Sequence, residues 1–290
     1  MGLRCRCKAR PSFRHDSKIT YNKAMKIALI QLASINNEAE NMANTMSYLN
    51  EAKRSGVDFA LLPELFHFRG TGAELIAHAQ SLDGPVVRQL SDLAATHSMN
   101  ILLGSILEAA DADRCYNSSV LIDRNGKIAA VYRKIHLFDA HVDGKHIDES
   151  QRFLSGSEPV LAKVDEIPIG LSICYDLRFP ELYRGYSQNG AKLLSIPASF
   201  THPTGDAHWE VLCRARAIEN QAFVLAPNQT GIGAESVPSY GHSMIIDPWG
   251  NILARASADH PELLIADIDF DKQDAVRTQL PCLRHRRINS

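Results

Sequence analysis

Residues 169–197 read IGLSICYDLRFPELYRGYSQNGAKLLSIP, and this stretch decides the fold class. Residues 169–174 are an almost continuous apolar run, as in a strand buried on both faces. Pro180 then opens a helix over 180–188, at a position where its fixed φ and missing N–H are tolerated. Residues 192–197 form a second short apolar run. Strand, helix and strand in this order make a βαβ unit, which builds a sheet covered by helices.

The alternation continues on both sides. Residues 26–32 (KIALIQL) read as a strand, 37–55 as a helix stopped by Gly56, and 58–65 (DFALLPEL) as the next strand. Residues 74–98 hold helical material broken near Gly84-Pro85, and 101–107 (ILLGSIL) return to strand. Residues 116–123 and 127–132 pair across Arg124-Asn125-Gly126, a turn suited to positive φ. Downstream, 206–220 is helical and 222–228 a strand. Residues 243–247 and 251–255 form a hairpin around Pro248-Trp249-Gly250, and 263–268 is the last strand. The hairpins make the sheets mixed. With no internal repeat and no Pro/Gly linker, 25–290 reads as one α/β domain.

The chain has 290 residues, 45% of them hydrophobic, enough for a sizeable core. Its net charge of −2 and 22% charged residues supply neither the basic excess of a nucleic-acid binder nor an acidic tail. The basic run Arg284–Arg287 reads as dimer contacts or a solvated tail. No apolar run is long enough to span a membrane. Cys5, Cys7, Cys115, Cys174, Cys213 and Cys282 are scattered and partly inside apolar runs, which points to reduced thiols and a cytoplasmic protein. Residues 1–24 carry seven Lys/Arg and one acid, Asp16. They lack the apolar stretch of a secretory signal and read as a disordered extension, or as sequence upstream of a start at Met25. Being Arg-rich and acid-poor, they also have the composition of a mitochondrial import leader. His136, His141 and His146 recur at a spacing that does not share a helix face, and nothing completes a zinc pattern. Cys5-Arg6-Cys7 has the wrong spacing for a zinc knuckle, and no glycine-rich nucleotide loop appears. No metal or cofactor is expected.

Three residues stand at the ends of predicted strands, where α/β folds gather functional groups from distant segments. Glu64 follows Phe59-Ala60-Leu61-Leu62-Pro63, Lys134 follows 128–133, and Cys174 ends 169–173. A thiol is only a few per cent ionised near neutrality, so a nucleophilic Cys174 needs a base and a cation. Glu64 and Lys134 supply one of each. Alone, each has a blander reading: a small buried Cys, a solvated Lys, a carboxylate paired with an Arg.

Together, in this order, the segments Leu61–Leu65, Tyr132–Asp139 and Cys174–Leu182 resemble the signature blocks of the nitrilase (carbon–nitrogen hydrolase) superfamily. The resemblance runs from about Met25 to Arg287. It implies a four-layer α-β-β-α sandwich with two mixed sheets. It implies Cys174 as nucleophile, Glu64 as general base, and Lys134 with the Tyr175 backbone N–H as holders of the oxyanion. A second family Glu, orienting the Lys, matches Glu149 better than Glu158. The segments Pro197–Thr201, Thr204–Glu210, Arg214–Asn220, Ser239–Ser243 and Asp247–Gly250 look like the Nit subgroup, which hydrolyses small carboxylate-bearing amides to acid plus ammonia through a thioester. Arg178 is then the candidate for the substrate carboxylate, against a fixed salt bridge with Asp176 or Glu181. Phe200, Thr201 and Tyr240 are candidate pocket walls, and Arg214, Arg216 and Glu219 read as structural. The resemblance further implies a homodimer or higher oligomer, with 180–188 and 271–290 at its interfaces. A nitrilase or N-carbamoyl hydrolase fits the blocks at 174–182 and 208–210 less well. A non-catalytic scaffold would have lost one of the three residues.

Overall fold

The computed structural model describes residues 24–142, 144–233 and 237–288. The expected N-terminal extension lies outside the described residues except Ala24. That residue already pairs with Asp269, so the folded part includes one residue before Met25.

In chain order the first elements are β1 (Ala24–Gln31), α1 (Glu38–Arg54), β2 (Phe59–Leu61), α2 (Gly72–Ala77), α3 (Pro85–His97), β3 (Asn100–Ala109), β4 (Cys115–Ile122) and β5 (Ile128–Arg133). A small excursion follows: β6 (Asp139–Val142), β7 (Lys145–Asp148) and β8 (Phe153–Leu154). The second half holds β9 (Leu161–Val164), β10 (Ile167–Leu171), α4 (Pro180–Gln188), β11 (Leu193–Ser195), α5 (His202–Asn220), β12 (Phe223–Ala226), β13 (Met244–Ile246) and β14 (Ile252–Arg255). Last come β15 (Glu262–Asp269), α6 (Phe270–Gln279) and α7 (Cys282–His285).

One sheet has the order β15-β1-β2-β3-β4-β5, with β8 beside β4. The other runs β14-β13-β12-β11-β10-β9. Both are mixed: β1, β2 and β3 are parallel, as are β10, β11 and β12, and the flanking strands are antiparallel. The two-residue period of a strand sorts side chains into layers. Ile27, Leu29, Phe59, Leu61, Leu102 and Leu121 point inward to one core with Ile169, Leu171 and Leu193 of the second sheet. Their neighbours Ala28, Ile30, Ala60, Ile101, Leu103 and Val120 face out, onto Met42 and Leu49 of α1 and Val87 and Leu90 of α3. On the far side, α4 and α5 cover the second sheet with Leu182, Tyr183, Tyr186, Trp209, Cys213 and Ala217. The result is the expected α-β-β-α sandwich.

Helix ends follow their capping chemistry. The Asn37 side chain accepts from Glu40 N at 3.2 Å to start α1, and Pro85 and Pro180 begin α3 and α4. The sequence reading goes astray where polarity hides regular structure. The hairpin β6–β7 (DAHV and KHID) and helix α6 have no clear apolar face, edge strand β9 buries only Ala162 and Val164, and none of them was expected.

The strand expected over 58–65 stops at Leu61. At that point β3 bulges between Leu103 and Ile106, and the chain leaving β2 crosses it at Gly104. A Cβ on Gly104 would lie 1.7 Å from the Leu62 carbonyl oxygen. Just beyond, Leu65 takes φ +53° and its N–H is held by Ser105 Oγ at 2.8 Å. This crossing aims Glu64 between the sheets. Gly104→Ala must push backbone against backbone, and is expected to cost about 1–3 kcal/mol and to lower the activity proposed below. An unchanged urea midpoint with full activity would show that the crossing is not tight.

Candidate active site

The three segments singled out in the sequence meet between the sheets. Lys134 is completely buried just past β5. Its Nζ lies 3.0 Å from Glu64 Oε1 and 3.0 and 2.9 Å from the two oxygens of Glu149. The Cys174 thiol stands where both the Glu64 carboxylate and the Lys134 ammonium act on it. Glu149 is brought in by the β6–β7 hairpin and fixed by the Phe138 N–H at 2.8 Å. Glu158, the weaker alternative, is exposed beside Ser157.

Each group is held from behind. Glu64 accepts from Asn117 Nδ2 and from Ser199 N, each at 2.8 Å. Cys174 does not end a strand as expected. β10 stops at Leu171, and Cys174 starts a 3₁₀ turn (Cys174–Arg178) with φ +48°. Two bonds force this geometry: Cys174 N donates to Pro197 O at 2.8 Å, and Ile173 N to Asp176 Oδ2 at 2.8 Å. A non-glycine residue in the left-handed region is locally strained. The turn also carries a Tyr175 N–H with no backbone acceptor among the described residues. Asp176 ties the turn to the lysine segment. Its carboxylate takes Tyr132 OH at 2.7 Å, His136 N at 3.1 Å and His136 Nδ1 at 2.7 Å. Arg216 holds the Leu177 carbonyl from α5 at 3.1 and 2.8 Å.

The charges explain the protonation states. Burial pushes Cys174 well above the usual thiol range, and the Glu64 carboxylate pushes it further. Burial also raises Glu64, but the Lys134 ammonium and the bonds from Cys174 and Asn117 outweigh it and leave Glu64 below the ordinary carboxylate range. Glu149 is raised, burial outweighing the pull of Lys134. Burial disfavours the Lys134 charge, yet Glu149 and Glu64 keep it firmly protonated. At neutral pH the cluster is a neutral thiol beside the Glu64 carboxylate, with the Lys134 ammonium between Glu64 and Glu149.

A cleft of about 140 Å³ opens onto this cluster. Phe200 and Thr201 line it as expected, and so does Arg178. The alternative, a fixed salt bridge of Arg178 with Asp176 or Glu181, is not formed among the described residues. Its guanidinium lies over the Phe200 ring at 5.2 Å and the Tyr175 ring at 5.7 Å, with Nη1 3.3 Å from His208 Nδ1. Tyr240 is not a wall. Its ring is packed against Gly205, where a Cβ would come within 2.4 Å of it, and the neighbouring Ser239 faces the cleft instead. Sequence reasoning also missed Arg69, Asn117, Asp176 and Ser199. Asn117 left a signal, being an amide inside the otherwise buried strand β4. Arg69 left none. Among the described residues no group of three or more His, Cys, Asp or Glu is placed to hold a metal, and no helix is long and apolar enough to cross a membrane.

The sequence profile of the family described as Carbon-nitrogen hydrolase matches residues 26–278. A deaminated glutathione amidase from Synechocystis sp. (strain PCC 6803 / GT-S) is 42% identical over 264 residues, 89% of this chain and 97% of that protein. The deaminated glutathione amidase of Homo sapiens is 38% identical over 270 residues, 90% of this chain and 82% of that one. Among solved structures, the C. elegans NitFhit protein superposes with a TM-score of 0.86 at 36% identity, covering 92% of this chain and 66% of that one. Saccharomyces cerevisiae Nit3, described as a member of branch 10 of the nitrilase superfamily, gives 0.82 at 28% identity and covers 92% and 97% of the two chains.

Because the Glu64 charge helps to hold the thiol protonated, Glu64→Gln is expected to lower the Cys174 pKa. Alkylation of the Cys174 peptide by iodoacetamide at pH 7, followed by mass spectrometry, should therefore speed up several-fold. An equal or slower rate would contradict the electrostatics described.

Proposed function

This chain belongs to the carbon-nitrogen hydrolase family and hydrolyses carbon–nitrogen bonds other than peptide bonds, and we propose that it is a cysteine-dependent amidase whose substrate is deaminated glutathione. The observation that carries the chemistry is the Lys134 ammonium, in contact with Glu64 and Glu149 and acting on the Cys174 thiol. The substrate follows from the relatives named above and from Ser239–Ser243 and the ending Leu280–Arg287, which resemble the deaminated glutathione type. ω-Amidase, acting on α-ketoglutaramate, is the alternative reading, and both substrates carry an α-keto acid group.

In the proposed cycle Cys174 Sγ attacks the amide carbonyl while Glu64 takes the thiol proton. The carbonyl oxygen becomes an oxyanion, held by Lys134 Nζ and the Tyr175 N–H. An ammonium has three N–H donors. Glu64 takes one and the two oxygens of Glu149 take the others, so the oxyanion gains its donor when one Glu149 oxygen gives up its bond. Collapse of the intermediate expels the amine, which takes the proton back from Glu64, and leaves a thioester. Water then attacks the thioester as Glu64 removes its proton, and the departing sulfur recovers a proton as the acid leaves. Deaminated glutathione is the tripeptide with its amino group replaced by a keto oxygen, so the departing amine belongs to a dipeptide. Ammonia, expected from the sequence, departs when the amide is primary. Arg178, at the cleft and without a carboxylate partner, is proposed to meet a substrate carboxylate.

A homo-oligomer and cytoplasmic residence belong to the same reading. Leu280, 51% exposed on the C-terminal tail, supports an interface there, and light scattering of the purified protein tests it.

The deciding measurement is kcat/KM for deaminated glutathione, α-ketoglutaramate and a plain aliphatic amide. Deaminated glutathione should lead, and a clear lead for α-ketoglutaramate would favour the ω-amidase. Cys174→Ala should abolish turnover, and Glu64→Gln should lower kcat by ~10²–10⁴. Lys134→Met should cost at least ~10²–10³. Nitrile turnover without amide turnover would overturn the amidase reading.

A further inference from the structure

Arg69 is a buried guanidinium, 8% exposed, on the segment between β2 and α2, and it lines the cleft. Burial pushes its pKa down to about 10, opposed only by the distant pull of Glu64. Its polar contacts are to neutral groups. Nη2 donates to Ser239 Oγ at 2.8 Å, and Nη1 stands 3.5 Å from the carbonyls of Ser34 and Thr230. Two of these three contacts are at the limit of bonding distance, so much of a five-donor fork is unused. Among the described residues no carboxylate lies within ion-pair distance of it. The one acid that acts on it, Glu64, is already engaged by Lys134, Asn117 and Ser199.

Buried charges are normally paired, because the desolvation they suffer must be offset. The other buried cations here obey that rule: Lys134 meets two carboxylates, Lys192 meets Asp274 and Arg216 meets Glu219. Among the described residues, Arg69 alone of these four lines the cleft and has no acid within ion-pair distance. Its surroundings are cut to fit it. A Cβ on Gly233 would come within 2.6 Å of Nη2, so the side chain is clamped in place. The catalytic cluster adds a second reason: the Glu64 carboxylate beside Cys174 repels an approaching anion unless a further cation stands by. A short relay links the two, since Ser239 Oγ lies 3.4 Å from Ser199 Oγ and Ser199 N holds Glu64.

We propose that Arg69, with Ser239, is a carboxylate-binding residue of the cleft, separate from Arg178 at the aromatic side, and that the enzyme selects amides carrying a carboxylate at this position. Arg69 and Arg178, in a cleft that Arg152 also lines, suit a substrate with two carboxylates, one on each side of the scissile amide. This inference deepens the amidase reading and rests on it for its kinetic test.

The test compares two primary amides of equal length, glutaramate and pentanamide, which differ by one carboxylate. For wild type, Arg69→Lys and Arg69→Gln, the readout is the ratio of the two kcat/KM values. The ratio should fall in that order, by about tenfold or more from wild type to Arg69→Gln, mainly through KM for glutaramate. An unchanged ratio in both variants overturns the proposal, as does an equal loss on both amides. If Arg69→Gln does not fold, the ratio for Arg69→Lys decides alone, because the ammonium keeps the charge and loses the fork. A second arm needs no turnover. Calorimetric titration of Cys174→Ala protein with glutarate should show binding that weakens at least about tenfold when Arg69→Lys is added. Binding that depends on Arg69 in a protein with no amide turnover would sink the amidase reading and keep the anion site. Turnover with no dependence on Arg69 would do the reverse.

Discussion

The molecule is organised around one ammonium in a place where an isolated charge is forbidden. Lys134 is fully buried between Glu64 and Glu149, and a charge can be buried this deeply only where acids compensate it. Three remote parts of the chain must therefore arrive together: the end of β2, the end of β5 and the hairpin that carries Glu149. Burial and the Glu64 carboxylate also fix the state of Cys174. A thiolate would set a second negative charge beside Glu64 in a buried site, so the sulfur keeps its proton.

Around this centre the fold supplies fixed approaches. Gly104 lets the Glu64 segment cross β3, and the bulge beside it turns the chain inward. Asp176 binds Tyr132, His136 and Ile173 at once, so the lysine segment and the cysteine turn share one fully buried carboxylate. Arg216 secures the far end of the turn through the Leu177 carbonyl. These residues touch no substrate on the proposed reading. They hold the reacting groups where small displacements would cost much of the rate.

How far the sequence was legible depends on the kind of signal. Strands buried on both faces, such as IALIQ and ILLGSIL, announce themselves by composition, and helices by capping residues such as Asn37 and Pro180. Glu64, Lys134 and Cys174 were legible because they sit in local blocks at strand ends. Glu149 was softer because it arrives on a polar hairpin whose pattern gives no apolar face. The left-handed Cys174 was misread as the end of a strand. Its conformation is imposed by Pro197 and Asp176, not by its own propensity. Tyr240 is expected at the pocket, but adjacent residues in extended chain face opposite ways, and it is Ser239 that lines the cleft. Arg69 could not have been found this way. What distinguishes it is the lack of an acidic partner among the described residues, and its bond across 170 residues to Ser239 is a property of the tertiary structure alone.

The raised thiol pKa bears on selectivity as well as rate. A permanently ionised cysteine reacts with any electrophile that reaches it. Here the proton leaves sulfur only when Glu64 can accept it, and the negative charge must reappear on an oxygen beside Lys134 and the Tyr175 N–H. The site in effect asks for an acyl carbonyl whose oxygen points at that pair. An alkylating agent, which puts charge elsewhere, gains nothing from Lys134 and meets a neutral thiol. High burial and an unfavourable thiol pKa thus work with the proposed chemistry: reactivity is switched on by the geometry of the substrate and is otherwise suppressed.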